Sequence, residues 1–150
     1  MKKTLFFLLI SNAFILFESC NYSDENMKPI GESSMTAVIN DSTLVFLITG
    51  DPSYIDGVYA EGIAGKYKLY LHISNNVYGT YHWQAGNDYA DAQLNGLEAL
   101  NEIGGLTVTI SNPQNRMIQG TFEFAVLNTS RTDTTYVRQG SFTFYYVNGN

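Results

Sequence analysis

Apolar and polar residues alternate with a period of two in several short segments of the chain after residue 34. In the clearest segment, residues 67–74, every second residue is apolar or aromatic and the residues between them are mostly polar. The same alternation occurs at 35–40, 44–48 and 106–111, as in strands that are buried on one face. Turn-forming pairs such as Asn40-Asp41 separate these segments. We therefore predict an all-β domain of about eight antiparallel strands, arranged as a sandwich or a barrel-like fold.

A six-residue motif occurs twice in the last third of the chain. Residues 119–124 read Gln-Gly-Thr-Phe-Glu-Phe, and residues 139–144 read Gln-Gly-Ser-Phe-Thr-Phe. In each copy the two phenylalanines are two positions apart, so both rings lie on one side of a strand. A glycine inside a strand is typical of a bulge or of a close approach by another backbone. We predict that the two copies are neighbouring core strands.

Residues 88–103 do not follow a single period. Ala90, Leu94 and Leu97 have the spacing of one helix face, and aspartates near position 90 are suitable helix N-caps. Gly96 lies inside the same pattern and disfavours a long helix. For this segment we predict one short helical turn or a structured loop.

The N-terminal end is organised like a secretory signal peptide. Two lysines precede a stretch of 13 residues at 5–17 that is apolar apart from Ser11 and Asn12. As a helix, this stretch would be about 20 Å long, short of the roughly 30 Å hydrocarbon core of a bilayer. Ser19 and then Cys20, the only cysteine, follow soon after it. We predict that 1–19 is a lipoprotein signal peptide, and that Cys20 is acylated and anchors the protein to a membrane.

A polar segment separates Cys20 from the first predicted strand. Ser23, Asp24 and Glu25 form an acidic cluster close behind Cys20, and Pro29 and Gly31 break any regular element. We predict an acidic flexible tether at 20–33 and a single β domain at 34–150. The cluster resembles the signal that exports lipoproteins of the Bacteroidota to the outer face of the outer membrane. Its simpler interpretation is a solvated acidic linker.

Composition and charge exclude several classes of protein. The chain has 150 residues, 14 acidic and 8 basic, with a net charge of −6. An acidic chain lacks the clustered cations that bind phosphates, so we predict no nucleic-acid partner. A single cysteine forms neither an internal disulfide nor a cysteine-based zinc site. We predict no metal site and no cofactor, with calcium at the oxygen-rich segment 87–91 left as an open alternative.

Catalytic motifs are missing from the sequence. The two histidines, His72 and His82, are ten residues apart on predicted strands, a spacing that matches no zinc motif. There is no Gly-x-Ser-x-Gly segment and no glycine-rich phosphate loop. Acidic residues such as Asp51, Asp56 and Glu61 are typical of solvated loops in an acidic protein. We predict a protein without catalytic residues.

Aromatic residues are concentrated between positions 70 and 89. Surface aromatics on a sheet bind sugar rings or protein partners, because they offer a large contact area at little cost in entropy. The same residue types are also common in cores and on strand faces. The candidate ligand-binding aromatics, for a glycan or a protein, are Tyr70, Tyr78, Tyr81, Trp83 and Tyr89.

The sequence resembles a family of small uncharacterised Bacteroidota lipoproteins that carry a domain of unknown function. The resemblance covers most of residues 34–147 and consists of turn glycines and core aromatics. It implies a compact β-sandwich-like domain with no known catalytic residues. Besides the leader, the segments that carry it are Ser34–Asn40, Gly79-Thr80-Tyr81 with Tyr89, Gly105–Ser111, Asn115–Phe124 and Gly140-Ser141-Phe142.

These features together predict a lipid-anchored protein of the outer membrane. Its β domain would face the cell exterior and bind or display a ligand without catalysing a reaction. Two alternatives follow from the same sequence. One is a periplasm-facing lipoprotein with an enzymatic or inhibitory role, and the other is a structural component of the envelope.

Overall fold

A computed structural model describes residues 31–54, 57–74, 78–83 and 90–148. The predicted signal peptide and most of the predicted tether, including Cys20, Ser23, Asp24 and Glu25, lie outside these residues. Within them all regular structure is β-strand and there is no helix, which confirms the predicted all-β class. The strands are β1 (Ser34–Ile39), β2 (Ser42–Ile48), β3 (Ser53–Tyr54), β4 (Val58–Ala64), β5 (Tyr67–Ile73), β6 (Gly79–His82), β7 (Ala90–Leu94), β8 (Leu97–Glu98), β9 (Gly104–Asn112), β10 (Met117–Leu127), β11 (Thr134–Tyr145) and β12 (Val147–Asn148).

Ten of these strands form one continuous open sheet. Their order is β6-β9-β10-β11-β1-β2-β4-β5-β7-β8, and each neighbouring pair is antiparallel. The short strand β3 pairs with β4 and, in parallel, with β12. Strand β2 joins two halves, because residues 42–46 pair with β1 whereas Leu47 and Ile48 pair with β4. We call β6, β9, β10, β11 and β1 the first half, and β4, β5, β7 and β8 the second half.

The two halves share one hydrophobic core. Alternate residues point into it, as in β5, where Leu69, Leu71 and Ile73 are fully buried. Burial of each such side chain stabilises the fold by about 1.5–3 kcal/mol. The backbone N–H of Leu100, just after β8, donates to the carbonyl oxygen of Ala125 in β10 over 2.8 Å. The second half therefore folds back onto the first, consistent with a β-sandwich-like fold.

The repeated motif forms the pair β10 and β11, which confirms the predicted neighbouring core strands. Phe122 lies opposite Gly140, and Phe142 lies opposite Gly120. Each ring covers the glycine of the other strand, and a Cβ atom at Gly140 would come within 2.5 Å of the Phe122 ring. The rings of Phe122 and Phe142 are 6.4 Å apart between centroids. The glycines are therefore needed so that the rings can pack flat against the sheet.

The predicted helical turn or structured loop within 88–103 is wrong over residues 90–98, which form the hairpin β7–β8. Asn95 and Gly96 both have positive φ, 53° and 77°, as in a type I′ turn between two strands. Ala90, Ala92 and Leu94 are buried, so the apolar residues follow a period of two. The prediction of about eight strands did not include β7 and the two-residue strands β3, β8 and β12.

Candidate functional site

Trp83 lies in the core, not on the surface. Its ring is 2% exposed and packs edge-on against Phe124, with 5.9 Å between the ring centroids. The indole Nε1–H donates to the carbonyl oxygen of Glu123 over 2.6 Å. A ring in this position cannot stack on a ligand. This corrects the interpretation of Trp83 as a binding aromatic.

The other predicted aromatics do not form one surface. Tyr81 is half-buried and packs against the core, and this burial raises the pKa of its phenol. Tyr78 is 62% exposed, and its hydroxyl donates to the carbonyl oxygen of Ser111 over 3.1 Å. Tyr89 lies outside the described residues. Tyr70, in contrast, lies on the outer face of the second half.

Tyr70 belongs to a cluster of rings on β4 and β5. The Tyr59 ring lies 6.3 Å from the Tyr70 ring, at an angle of 40°. Tyr59 also stacks on His72, with 4.1 Å between the centroids and 7° between the planes. Tyr59 lies opposite His72 in the ladder, so the stack follows from the strand register. We call Tyr59, Tyr70 and His72 the aromatic face.

Polar side chains surround the aromatic face on three strands. Glu61 and Gln93 lie on either side of Tyr70 in the register, and Asp91 lies opposite His72. A groove of about 420 Å³ runs beside Tyr70 and is lined by these carboxylates and the amide, together with Lys68. Rings next to a few convergent polar groups are typical of small-ligand sites.

The charges on this face are partly compensated. Lys68 Nζ lies 2.7 Å from Glu61 Oε2, and the hydrogen bond from Lys68 holds the pKa of Glu61 below its usual value. Partial burial, with smaller contributions from Tyr59 and Asp91, raises the pKa of Tyr70 to about 12. The Tyr70 hydroxyl is therefore neutral at physiological pH and can both donate and accept a hydrogen bond.

Sequence reasoning missed two members of the aromatic face. Tyr59 is not among the predicted binding aromatics, and His72 was considered above only as a zinc ligand. The sequence could have indicated that these two rings meet, because the two-residue turn between Ala64 and Tyr67 places Tyr59 opposite His72. In the part of the chain that the structure describes, no group of three or more His, Cys, Asp or Glu is placed to hold a metal ion.

The fold and this outward face define an all-β domain with an aromatic and polar surface. The chain belongs to a family described as a domain of unknown function, DUF6252, which it matches over residues 53–145. Strands β1 and β2 precede the matched region, although β1 pairs with β11 inside it. Neither a curated protein nor a solved structure gives a significant match. None of the described residues forms a helix long and apolar enough to cross a membrane.

Proposed function

We propose that this protein is a non-enzymatic lipoprotein, anchored in the outer membrane at Cys20, whose β domain binds a glycan at the cell surface. The observation that supports glycan binding is the aromatic face beside its groove of about 420 Å³. Tyr59 and Tyr70 lie side by side on the outer surface of regular strands, so their positions are fixed before a ligand arrives. Such preorganisation lowers the cost of binding.

The chemistry of the groove suits a sugar. A pyranose ring has an apolar C–H face, which packs on an aromatic ring, and polar hydroxyl groups around its edge. Tyr70 offers the ring surface and a neutral hydroxyl group. Asp91 accepts hydrogen bonds, and Gln93 both donates and accepts them. One face therefore combines stacking with groups that hydrogen-bond the sugar edge.

The proposed anchor rests on the sequence before the domain. The apolar stretch at 5–17 ends close to Cys20, and the acidic cluster Ser23-Asp24-Glu25 is the proposed export signal. Ser33 joins the tether to the sheet, because its Oγ accepts from the Tyr145 N–H over 2.9 Å. A tether at 20–33 would span at most about 50 Å when extended, which would keep the domain near the membrane.

Glycan binding is tested by replacing Tyr70 with alanine. Full-length protein solubilised in detergent is applied to an array of bacterial and host glycans, and dissociation constants are measured for the glycans that bind. We expect Tyr70→Ala and Tyr59→Ala to weaken binding about tenfold or more, as for central aromatic residues of an interface. The matched control is Tyr136→Ala, because Tyr136 is 45% exposed and lies on β11 of the first half. Unchanged binding of every glycan in a folded Tyr70→Ala variant would contradict the proposal.

The location is tested separately on cells. Cys20→Ser removes the acylated side chain, so we expect the variant to leave the membrane fraction while the wild type stays in it. Protease added to intact cells should degrade the anchored domain if the domain faces the exterior. Complete protection of the domain, with degradation only after the outer membrane is opened, would place it on the periplasmic side.

A further inference from the structure

The outer face of the first half carries a second and larger groove, of about 740 Å³. It lies over β6, β9, β10 and β11, whereas the aromatic face lies on the second half of the sheet. We call this groove the hydroxyl cleft. Its principal polar side chains are Thr80, His82, Thr107, Thr121, Glu123 and Ser141.

The depth of the cleft comes from a position without a side chain. Gly105 lies between His82 and Glu123 in the register of three neighbouring strands. A Cβ atom at Gly105 would lie 2.5 Å from the carbonyl oxygen of Tyr81, which is too close for any other residue. The floor between His82 and Glu123 therefore remains open as long as the strands keep this register.

Hydroxyl groups form a line across the cleft, one from each strand. Thr80 lies opposite Thr107, Thr107 opposite Thr121, and Thr121 opposite Ser141. The line continues to Thr36 on β1, whose Oγ1 is 2.8 Å from Ser141 Oγ. Neighbouring strands are about 4.8 Å apart, so the hydroxyls repeat at this spacing.

The line retains the capacity to bind a ligand. Thr80 Oγ1 and Thr107 Oγ1 are 3.0 Å apart, and in each such pair only one hydroxyl hydrogen is used. The other hydroxyl of the pair can donate outward, and both oxygens keep lone pairs that accept. Thr121 stands between the two pairs, at the centre of the line.

The charges of the cleft select the class of ligand. Glu123 and Glu102 contribute carboxylates and Gln139 an amide, whereas no lysine or arginine is among the described residues that line the cleft. An anionic ligand would be repelled by the carboxylates without a compensating cation. Closely spaced hydroxyls and carboxylates suit a ligand rich in hydroxyl groups and without negative charge. We infer that the hydroxyl cleft is a second saccharide site, which binds the hydroxyl edges of a neutral polysaccharide.

The two sites can be separated by experiment. Detergent-solubilised protein is run in native gels containing glucan, mannan, galactan or xylan, with polygalacturonate as the anionic comparison. Binding retards migration, and the retardation gives a dissociation constant. We expect a Tyr70→Ala variant to remain retarded by at least one neutral polysaccharide. In that background, Thr107→Val with Thr121→Val should weaken the remaining binding about fivefold or more, because two hydrogen-bonding hydroxyls are lost.

Two further variants make the result specific. Thr43→Val is the matched control, since Thr43 is exposed on β2, three strands from β10, and its loss should leave binding unchanged. Glu123→Gln keeps the shape of the side chain but removes its charge. The substitution should therefore weaken the binding of a neutral ligand less than that of a cationic ligand. Binding should also change little between low and high salt. The fluorescence of Trp83, the only tryptophan, reports on folding. It also reports on the cleft, because the indole donates a hydrogen bond to the carbonyl oxygen of Glu123.

Several results would overturn the inference. If Tyr70→Ala abolishes all binding of neutral polysaccharides, the aromatic face is the sole saccharide site and the hydroxyl cleft is not one. Retained binding in the folded double threonine variant would show that the hydroxyls take no part. Tighter binding of polygalacturonate than of every neutral polysaccharide would contradict the class of ligand. If the wild type binds none of the neutral polysaccharides, the cleft is not a saccharide site.

Discussion

The aromatic face and the hydroxyl cleft belong to one sheet but are built in different ways. The aromatic face lies on β4 and β5, and its groove extends to β7. The ladders of these three strands run without a register shift. The cleft lies where β10 shifts register against both β9 and β11, and where glycines line the floor. The properties of the aromatic face therefore depend on its side chains, whereas the shape of the cleft depends on the backbone. Substitutions should affect mainly binding on the first surface, but both binding and stability on the second.

The largest expected effect is at Gly104, on the floor of the cleft. Gly104 has φ +81°, and a Cβ atom there would clash with the carbonyl oxygen of Glu123. Gly104→Ala should lower the free energy of unfolding by about 3 kcal/mol or more, through strain and a displaced strand. Urea unfolding measures this difference.

The matched control for that substitution is Gly96→Ala in the β7–β8 turn. Gly96 has a similar φ of +77°, but a Cβ atom there would meet nothing within 4 Å beyond its chain neighbours. The control should lose only about 1 kcal/mol, from the left-handed conformation alone. Equal losses at the two glycines would show that the cleft does not depend on close backbone contact.

Trp83→Phe should have the next largest effect. The variant removes the N–H that donates to the Glu123 carbonyl oxygen next to the cleft. Leaving this part-buried acceptor without its donor should cost about 1–2 kcal/mol in the free energy of unfolding. In contrast, Tyr78→Phe removes a hydroxyl from an exposed hydrogen bond and should change stability by about 0.5 kcal/mol or less. Thermal unfolding of both variants tests this, and similar melting temperatures would contradict the buried role of Trp83.

A smaller effect should appear on the aromatic face at alkaline pH. The pKa of Tyr70 is raised to about 12 in the folded protein, whereas an exposed tyrosine titrates near 10. Between these values the unfolded chain loses the proton more readily, so the folded state becomes less stable as pH rises. The free energy of unfolding should fall between pH 10 and 12 by more in the wild type than in Tyr70→Phe. Parallel pH profiles for the two proteins would show that Tyr70 is not perturbed by burial.

The smallest effect is expected for the ion pair on the aromatic face. Lys68 and Glu61 are partly exposed, with side-chain exposures of 56% and 34%. Such pairs typically contribute about 0.2–1 kcal/mol, so Lys68→Met should change stability only slightly. A loss of stability as large as that of Gly104→Ala would mean that the stability of the protein depends on the side chains of the aromatic face as much as on the backbone of the cleft.

The sequence predicted the strands more reliably than the sites. Alternation in β5 and the repeated Phe-x-Phe segments identified core faces, because each pattern depends only on nearby residues. The helical spacing of Ala90, Leu94 and Leu97 was misleading, since Asn95-Gly96 forms the turn of a hairpin instead. A turn of this type is a strong hairpin signal and should have taken precedence over the spacing.

The aromatic residues show which side-chain positions can be predicted from the sequence alone. In β6, Thr80 and His82 alternate with Tyr81, so the more apolar positions, including Trp83, belong to the inner face. The register of the β4–β5 hairpin could likewise have paired Tyr59 with His72. The hydroxyl line could not be predicted, because it requires the registers of four strand pairs, and three of these registers shift.

The crossed packing of glycine and phenylalanine in β10 and β11 limits how related sequences can diverge. The three atoms nearest to a Cβ atom at Gly140 all belong to the ring of Phe122, so we expect a Gly140→Ala change to be tolerated together with a smaller residue at 122. A Cβ atom at Gly120 would also meet the backbone oxygen of Thr107, which no change of side chain can remove. Among relatives of this protein, position 140 should therefore vary jointly with position 122, while position 120 should remain glycine.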